Sequence, residues 1–284
     1  MPQRNQSLPG PDLGVTRSAS ETRVLVRELC DLAEKAGVET IRFYQSRTSV
    51  THKSDSSPLT DADRASHDFL VRSLPGLIAD VPVISEESVD PTRGPENAAG
   101  RFWLVDPLDG TKEFLKGTGE FTVNIALIEN RRAVAGVVHA PAIGITYFAD
   151  LENGAFRKHN DEAPTSIHVQ PANLERLRVV ASKDHAGPLV AAMLARLPNA
   201  ELKSMGSSLK FCLVAEGAAD LYLRDVPTME WDTAAAQCVV EAAGGSLCTL
   251  DGQPLRYGKP GLKNPEIITV GDPDLPWTAL LERN

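Results

Sequence analysis

Cysteine is scarce in this 284-residue chain, which has four cysteines and no Cys-x-x-Cys pair. Zinc ribbons and thioredoxin-type redox sites need paired cysteines, so the spacing argues against both classes. Three of the four lie among apolar residues in helix-like stretches, as small core residues do. We therefore expect reduced, buried thiols in an intracellular protein. The four are Cys30, Cys212, Cys238 and Cys248.

Long apolar runs and basic runs are also missing. No apolar run approaches the roughly 18 residues of a membrane span, and the N-terminus lacks an apolar segment of about 7–15 residues, so we expect neither a membrane helix nor a secretory signal. The net charge is −9, from 29 basic and 38 acidic residues without a basic cluster, which disfavours a nucleic-acid surface. Aromatic residues make up only 5%, so no base-stacking platform is visible. We expect a soluble cytoplasmic protein, and leave peripheral association with the inner membrane open.

The chain divides into three segments that differ in composition and in hydrophobic pattern. Residues 1–17 are polar and rich in Pro, Gly and Ser, which predicts a flexible arm. Residues 18–176 contain two helical patterns followed by closely spaced strand-like runs, and predict an α+β domain with an antiparallel meander. Residues 177–284 alternate between strand and helix patterns, and predict an α/β domain. A cleft at the seam near residue 175 would be a natural small-molecule site.

Specific boundaries accompany this division. Ser18 and Glu21 have capping-box spacing at the start of the first helix, and Thr60 is expected to cap a second helix that reaches about Leu74. Strand-like runs are predicted at 81–85, 121–129, 132–141, 144–150 and 154–159, and later helices at 187–197, 207–216 and 232–243.

The most informative segment joins a buried strand to two carboxylates. Phe102–Val105 is apolar, and it leads into Asp106 and Asp109 and then into a Gly-Thr pair typical of a helix start. Pro107 and Gly110 predict a turn that directs both carboxylates into one small volume. Two anions cannot share that volume without a counter-charge, and oxygen-only ligands suit Mg²⁺. A helix start suits phosphate, so the segment predicts phosphoryl transfer, with a metal-free Asx turn as the alternative.

Three further acids stand at the ends of predicted elements. Asp63 lies at a helix start, Glu86 follows a strand, and Asp232 lies at another helix start. Polar groups at strand ends commonly assemble the sites of α/β folds. A single acid of this kind is more often a cap or a solvated carboxylate, which is our interpretation of Glu87.

These residues resemble a known family. Asp106-Pro-Leu-Asp-Gly-Thr111 preceded by Glu86-Glu87 is similar to the inositol monophosphatase superfamily of Mg²⁺-dependent, lithium-sensitive phosphatases. Lys112-Glu113-Phe114 resembles its 3′(2′),5′-bisphosphate nucleotidase branch. The resemblance covers roughly residues 22–270 and implies the layered αβαβα sandwich of the inositol monophosphatase and fructose bisphosphatase type. Further matching motifs are Ser57–Asp63, Gly119–Ala126, Gly206–Gly217 and Trp231–Ala235.

The resemblance also implies roles for individual residues. It implies two or three Mg²⁺ per active site. The first ion would be bound by Glu86, Asp106 and the carbonyl of Leu108, and the second by Asp106, Asp109 and Asp232. Asp63 and Thr111, with Glu86 nearby, resemble the group that activates the attacking water. Because a threonine hydroxyl is a weak base, we expect Thr111 to relay a hydrogen bond from water to Asp63.

The second half is expected to recognise the nucleotide, through Gly206–Lys210 and the segment Ser182–His185. Lys210, His185 and a serine hydroxyl of Ser207 or Ser208 could bind the phosphate that is not cleaved. Lys183 and Asp184 depart from the Arg and Ser that are usual in this branch, so Arg224 could share that role. The complete set of predicted substrate contacts is Glu86, Leu108, Asp109, Gly110, Thr111, Ser182, His185, Ser207, Ser208, Lys210 and Asp232.

The leading hypothesis is therefore a Mg²⁺-dependent phosphatase that hydrolyses the 3′-phosphate of adenosine 3′,5′-bisphosphate to AMP and phosphate, and so serves sulfur assimilation. An inositol or sugar monophosphatase on the same scaffold is the enzymatic alternative. A non-catalytic metal- or nucleotide-binding protein is the alternative from another class. The sequence leaves open the preference for 2′,5′-substrates or phosphosulfates, and the oligomeric state.

Overall fold

A computed structural model describes residues 18–44, 50–52, 58–88, 100–181 and 187–281. The helices are α1 (Ala19–Ile41), α2 (Asp61–Ser73), α3 (Thr111–Lys116), α4 (Pro188–Ala195), α5 (Leu209–Ala215), α6 (Ala234–Ala242) and α7 (Trp277–Leu281). The strands of the first half are β1 (Val50–His52), β2 (Pro58–Thr60), β3 (Val83–Ser85), β4 (Arg101–Asp109), β5 (Thr122–Glu129), β6 (Arg132–Ala140), β7 (Ile145–Asp150), β8 (Gly154–His159) and β9 (Thr165–Ile167). Those of the second half are β10 (Arg178–Ala181), β11 (Glu201–Ser204), β12 (Leu221–Arg224), β13 (Thr228–Met229), β14 (Ser246–Thr249), β15 (Lys263–Asn264) and β16 (Ile267–Val270).

A seven-stranded sheet has the order β3-β4-β5-β6-β7-β8-β9. Only the β3–β4 pair is parallel, and all other neighbours are antiparallel. The predicted meander is thus confirmed in β5 to β8. Strands β5 to β7 are almost continuously buried because helices cover both faces of the sheet.

A five-stranded sheet has the order β11-β10-β12-β16-β14. Strand β10 is parallel to β11 and β12, whereas β16 is antiparallel to both of its neighbours. The sheet is therefore mixed, within a half whose strands and helices alternate as predicted. The edge strand β11 was not predicted, because its largely exposed side chains give no alternation of buried and exposed positions.

Successive side chains on β4 point to opposite faces of the sheet and pack against different layers. Trp103 and Val105 lie in a core with α1 and α2, whereas Phe102 and Leu104 face α5 and α6. Helices α5 and α6 also contact the five-stranded sheet, whose other face packs on α4 and α7. The predicted layer order of helix, sheet, helix, sheet, helix is confirmed.

The middle helical layer bears on the predicted division of the chain. Because α5 and α6 pack between the two sheets, one apolar core connects both halves. The boundary between residues 176 and 177 stays a prediction, and the predicted arm at residues 1–17 lies outside the described residues. All four cysteines are buried and unpaired, as expected. None of the described helices is long and apolar enough to cross a membrane.

Candidate active site

A β-bulge in β4 brings two of the predicted acids to the same face of the sheet. Asp106 pairs with Asn124 and Asp109 pairs with Thr122, so two residues of β4 oppose one residue of β5. Residues three apart would point to opposite faces of a regular strand, and the extra residue corrects this. The expectation that the strand ends at Val105 is wrong, because β4 continues through the bulge to Asp109.

The other two acids come from a neighbouring strand and from a distant turn. Ser85 pairs with Val105 in the parallel β3–β4 ladder, so Glu86 follows directly beside Asp106. Asp232 ends a 3₁₀ turn, Glu230–Asp232, that precedes α6; its Oδ2 accepts a 2.7 Å hydrogen bond from the Met229 amide. One carboxylate oxygen from each of Asp106, Asp109 and Asp232 lies within 4.8 Å of the others.

Burial and neighbouring negative charge disfavour the ionised forms of Asp106 and Asp232. Burial raises the pKa of Asp106 well above its ordinary value, and the charges of Glu86, Asp109 and Asp232 raise it further. The pKa of Asp232 is also raised, first by burial and then by Asp109 and Glu86. A divalent cation would supply the missing counter-charge, and an all-carboxylate donor set suits a hard ion. The cluster is therefore a candidate divalent-metal site.

Asp63 and Thr111 meet beside this cluster. The Asp63 carboxylate closes the capping box of α2, where Oδ2 accepts from the Thr60 amide at 2.8 Å and from its hydroxyl. Its other oxygen, Oδ1, lies 3.5 Å from the Thr111 hydroxyl. Helix α2 is also tied to the bulge, because the Ser66 hydroxyl donates to the Pro107 carbonyl at 2.8 Å. The helix cap thus fixes the orientation of a buried carboxylate next to the threonine.

Three residues of the predicted segment Gly206–Lys210 line the same cleft, namely Ser207, Ser208 and Lys210. Ser207 adopts a left-handed backbone conformation with φ of 46°, which costs a non-glycine residue about 1 kcal/mol. The Lys210 side chain is buried. Its Nζ donates to the Ser207 carbonyl at 2.6 Å and lies 5.6 Å from the centre of the Tyr222 ring. Burial lowers the pKa of Lys210 to about 8, although nearby carboxylates oppose the shift.

A cleft of about 340 Å³ connects these groups. Its lining includes the acids Glu86, Asp109 and Asp232 together with Thr111, and it also includes the cationic side chains of Lys210 and Arg224. Gly110, Ser207 and Ser208 complete the predicted residues at its wall. The Leu108 side chain points away into a core with Phe114 and Phe121. Ser182, Lys183, Asp184 and His185 lie outside the described residues.

The sequence analysis predicted no role for Asn124 or Tyr222, yet both lie at the site. The Asn124 amide contacts Asp109, and Tyr222 lines the cleft beneath Lys210. A signal for Asn124 is present, because Thr122 and Asn124 are polar at alternate positions of an otherwise apolar strand. Tyr222 gives no comparable signal, since a tyrosine in a short buried strand is ordinary core.

Comparisons with known proteins agree with this geometry. The chain matches the Inositol monophosphatase family over residues 22–270. The 3′(2′),5′-bisphosphate nucleotidase CysQ of Escherichia coli K12 is 43% identical over 235 residues, which cover 82% of this chain and 94% of that protein. The corresponding protein of Aggregatibacter actinomycetemcomitans is 34% identical, over 93% of this chain and 98% of its own.

Solved structures show the same fold. The crystal structure of CysQ from Bacteroides thetaiotaomicron, described as a bacterial member of the inositol monophosphatase family, superposes with a TM-score of 0.75 at 37% identity, covering 90% of this chain and 99% of that one. An inositol monophosphatase from Thermotoga maritima gives a TM-score of 0.72 at 25% identity, over 88% and 92% of the two chains. The clustered acids, the layered sandwich and these matches together make the chain a member of the inositol monophosphatase family.

Proposed function

We propose that this protein is a Mg²⁺-dependent 3′(2′),5′-bisphosphate nucleotidase that hydrolyses the 3′-phosphate of adenosine 3′,5′-bisphosphate to AMP and phosphate. The single observation that carries the proposal is the composition of the cleft, which is lined both by acids of the carboxylate cluster and by two cationic side chains, Lys210 and Arg224. A bisphosphate needs both: one phosphoryl group at a metal site and one at a cationic site. The name of the E. coli relative, at 43% identity, supports the same substrate class.

Two or three Mg²⁺ ions would be held by the acids of the cluster. Glu86, Asp106 and the Leu108 carbonyl would hold one ion, and Asp106, Asp109 and Asp232 a second. When bound, the ions neutralise charge on the phosphoryl group and make a coordinated water more acidic. The raised pKa of Asp106 supports this assignment, because a cation removes the repulsion that raises it.

Thr111 and Asp63 would orient the attacking water. The Thr111 hydroxyl can donate to Asp63 Oδ1 while its oxygen accepts from the water, so a proton can pass towards the carboxylate as the water attacks phosphorus. The capping bonds hold Asp63 Oδ2 and leave the direction of Oδ1 fixed. Asp63 would thus serve as the proton acceptor, and Thr111 as the group that links it to water.

Replacing Thr111 with valine should test this link. We expect kcat to fall by about 10²-fold, the lower end of general acid–base contributions, with little change in KM. Thermal stability should hardly change, because the capping contacts of Asp63 with Thr60 remain. Steady-state phosphate release measures the effect, and Thr111→Ser is the matched control that keeps the hydroxyl. Equal losses in the valine and serine variants would argue against a hydroxyl relay.

Lys210 and Arg224 would recognise the phosphate that is not cleaved. Arg224 lines the cleft, and its buried Nε has no hydrogen-bond partner among the described residues. Buried donors of this kind are costly unless a ligand completes them. Lys183 and Asp184, which depart from the usual pattern, lie outside the described residues. Lys210 and Arg224 are therefore the better supported anion site.

A truncated substrate tests that assignment. We expect wild-type kcat/KM to be about 10–100-fold higher for adenosine 3′,5′-bisphosphate than for adenosine 3′-monophosphate, since a charge-assisted contact contributes roughly 1.5–3 kcal/mol. Lys210→Met, which keeps the buried stem without the charge, should reduce that preference to a few-fold. A preference that survives the substitution would remove Lys210 from the anion site.

A substrate panel tests the function as a whole. Phosphate release should be compared for adenosine 3′,5′-bisphosphate, adenosine 2′,5′-bisphosphate and myo-inositol 1-phosphate at saturating Mg²⁺. We expect the first to have the highest kcat/KM. Faster hydrolysis of inositol 1-phosphate would instead support the monophosphatase alternative, and no hydrolysis of any of them would support a binding protein. Cytoplasmic location and a role in clearing a by-product of sulfate activation belong to the same proposal.

A further inference from the structure

Two buried side chains lie directly behind Asp109. Ser208 reaches the carboxylate oxygen Oδ2 of Asp109 twice, with its amide at 2.6 Å and its hydroxyl at 2.7 Å. The amide nitrogen of Asn124, Nδ2, lies 3.4 Å from the same oxygen and 2.9 Å from the Ser208 hydroxyl. Both side chains are 1% exposed, so water does not compete for these contacts. Hydrogen bonds from buried donors to a carboxylate are among the stronger ones.

The hydrogen-bond pattern fixes the orientation of the Asn124 amide. Its two amide hydrogens can point to Asp109 and to Ser208, whereas a flipped amide would set its oxygen against the Asp109 carboxylate. In the observed orientation Asn124 Oδ1 is buried without a hydrogen-bond partner among the described residues. Such an oxygen costs roughly 1–3 kcal/mol. An apolar residue at position 124 would avoid this cost. The asparagine is therefore better explained by the contact of its Nδ2 with Asp109 than by stability.

Ser208 also connects the metal cluster to a second element. Its hydroxyl lies 2.8 Å from the carbonyl oxygen of Asp232, which ends the turn before α6. Ser208 is itself the N-cap residue of α5, and Lys210 lies in the first turn of that helix. One serine therefore contacts a side chain of the cluster and the backbone of another acid, and it is the N-cap residue of the helix that carries Lys210.

We propose that Ser208 and Asn124 are positioning residues for the second metal site, and that Ser208 does not contact substrate. Their donors occupy Asp109 Oδ2, while no hydrogen bond from the described residues reaches Oδ1, which is left for the cation. The inference rests on the proposed metal-dependent function, and it replaces the sequence-based role of Ser208 as a phosphate contact. Partners behind a metal ligand fix its orientation and typically change metal affinity by about 10–100-fold.

Direct metal binding tests the proposal without any substrate. Titration calorimetry of metal-free protein with MnCl₂ and MgCl₂ should show affinity about 10–100-fold weaker in Ser208→Ala than in wild type. Asn124→Ala should weaken binding in the same direction. Thr269→Val is the matched control, because it also removes a buried hydroxyl, on β16, that has no partner among the described residues. That control should bind metal as the wild type does.

Kinetics separate the positioning role from substrate contact. At saturating adenosine 3′,5′-bisphosphate, Ser208→Ala should need about 10–100-fold more Mg²⁺ for half-maximal rate, and should recover most of its kcat at high Mg²⁺, with KM for the nucleotide unchanged. A raised KM with unchanged metal affinity would overturn the proposal. If Ser208→Ala does not fold, unchanged metal affinity in a folded Asn124→Ala would overturn it as well.

The calorimetry also keeps the two proposals distinguishable. Weaker metal binding in both variants would support the positioning role even if wild-type protein hydrolysed no bisphosphate nucleotide. Nucleotide hydrolysis with metal affinity unchanged in both variants would support the function and reject the positioning role.

Discussion

The Asp106→Asn variant is expected to lose activity by about 10³-fold or more while its metal-free form becomes more stable. Asp106 is the acid assigned to both cations, so its loss removes charge from two sites at once. A loss of 10³-fold corresponds to roughly 4 kcal/mol of transition-state stabilisation, within the several kcal/mol that metal ions contribute. Phosphate release from adenosine 3′,5′-bisphosphate measures this effect.

The gain in stability follows from the same geometry. Without a cation, ionised Asp106 is buried beside Glu86, Asp109 and Asp232, which raises its pKa and disfavours the folded state. Asparagine removes the charge and keeps an oxygen for the 3.0 Å bond from the Leu108 amide. We expect a gain of about 1–3 kcal/mol, which would raise the melting temperature by roughly 3–10 °C.

Asp220→Asn is the matched control for this pair of measurements. Asp220 is 1% exposed, but it is paired with Arg178, which donates to Oδ2 from its amide at 2.7 Å and from its Nε at 3.2 Å. Neutralising a paired acid should destabilise the protein by roughly 2–4 kcal/mol while the folded fraction keeps its kcat. Unchanged activity in Asp106→Asn would exclude Asp106 from the mechanism, and a lower melting temperature would contradict the repulsion within the cluster.

Removal of divalent metal should abolish turnover and lower stability by an amount that grows with pH. The folded pKa values of Asp106 and Asp232 lie above the ordinary value of 3.8. At pH values between the ordinary and the raised pKa, the folded state binds more protons than the unfolded state, so metal-free stability falls as pH rises through this range. Metal binding requires ionised ligands, so stabilisation by metal increases over the same range.

Thermal unfolding with and without EDTA measures this difference. One site filled at 100 times its dissociation constant adds about 2.7 kcal/mol, or roughly 5–10 °C. Comparing unfolding with and without EDTA at each pH also separates the effect of the acid cluster from that of groups such as His139. Burial lowers the pKa of His139 to about 4, so the contribution of His139 to stability is lost as pH falls. Asp106→Asn should show a smaller dependence on metal. A difference that stays constant or shrinks with rising pH would contradict the prediction.

The layered fold and most of the acid cluster could be predicted from the sequence because their signals are local. Closely spaced apolar runs mark the meander and capping residues mark the start of α2, and Asp106 and Asp109 stand out after an apolar strand. The bulge could not be predicted, since it depends on the pairing of β4 with β5. Pro107 was therefore interpreted as the start of a turn, although it lies within the bulged strand.

Contacts between distant segments explain the remaining differences. Burial of Lys210 depends on the Tyr222 ring and the surrounding layer, which no local pattern reveals. The contact of Ser208 with Asp109 joins positions 99 residues apart in the sequence. Motif resemblance can place such a serine near a site, but only the folded chain shows whether it turns towards the substrate or towards a neighbouring carboxylate.

In the capping box at the start of α2, the carboxylate of Asp63 both stabilises the helix end and faces Thr111. The oxygen of Asp63 that closes the first helical turn fixes the direction of the oxygen facing Thr111. Fraying of that turn would release the helix end and misdirect the proton acceptor together. The Asp63 amide bonds to the Thr60 hydroxyl. Slow hydrogen exchange of this amide would therefore show, without any nucleotide, that the cap is closed and the Asp63 carboxylate is held in place.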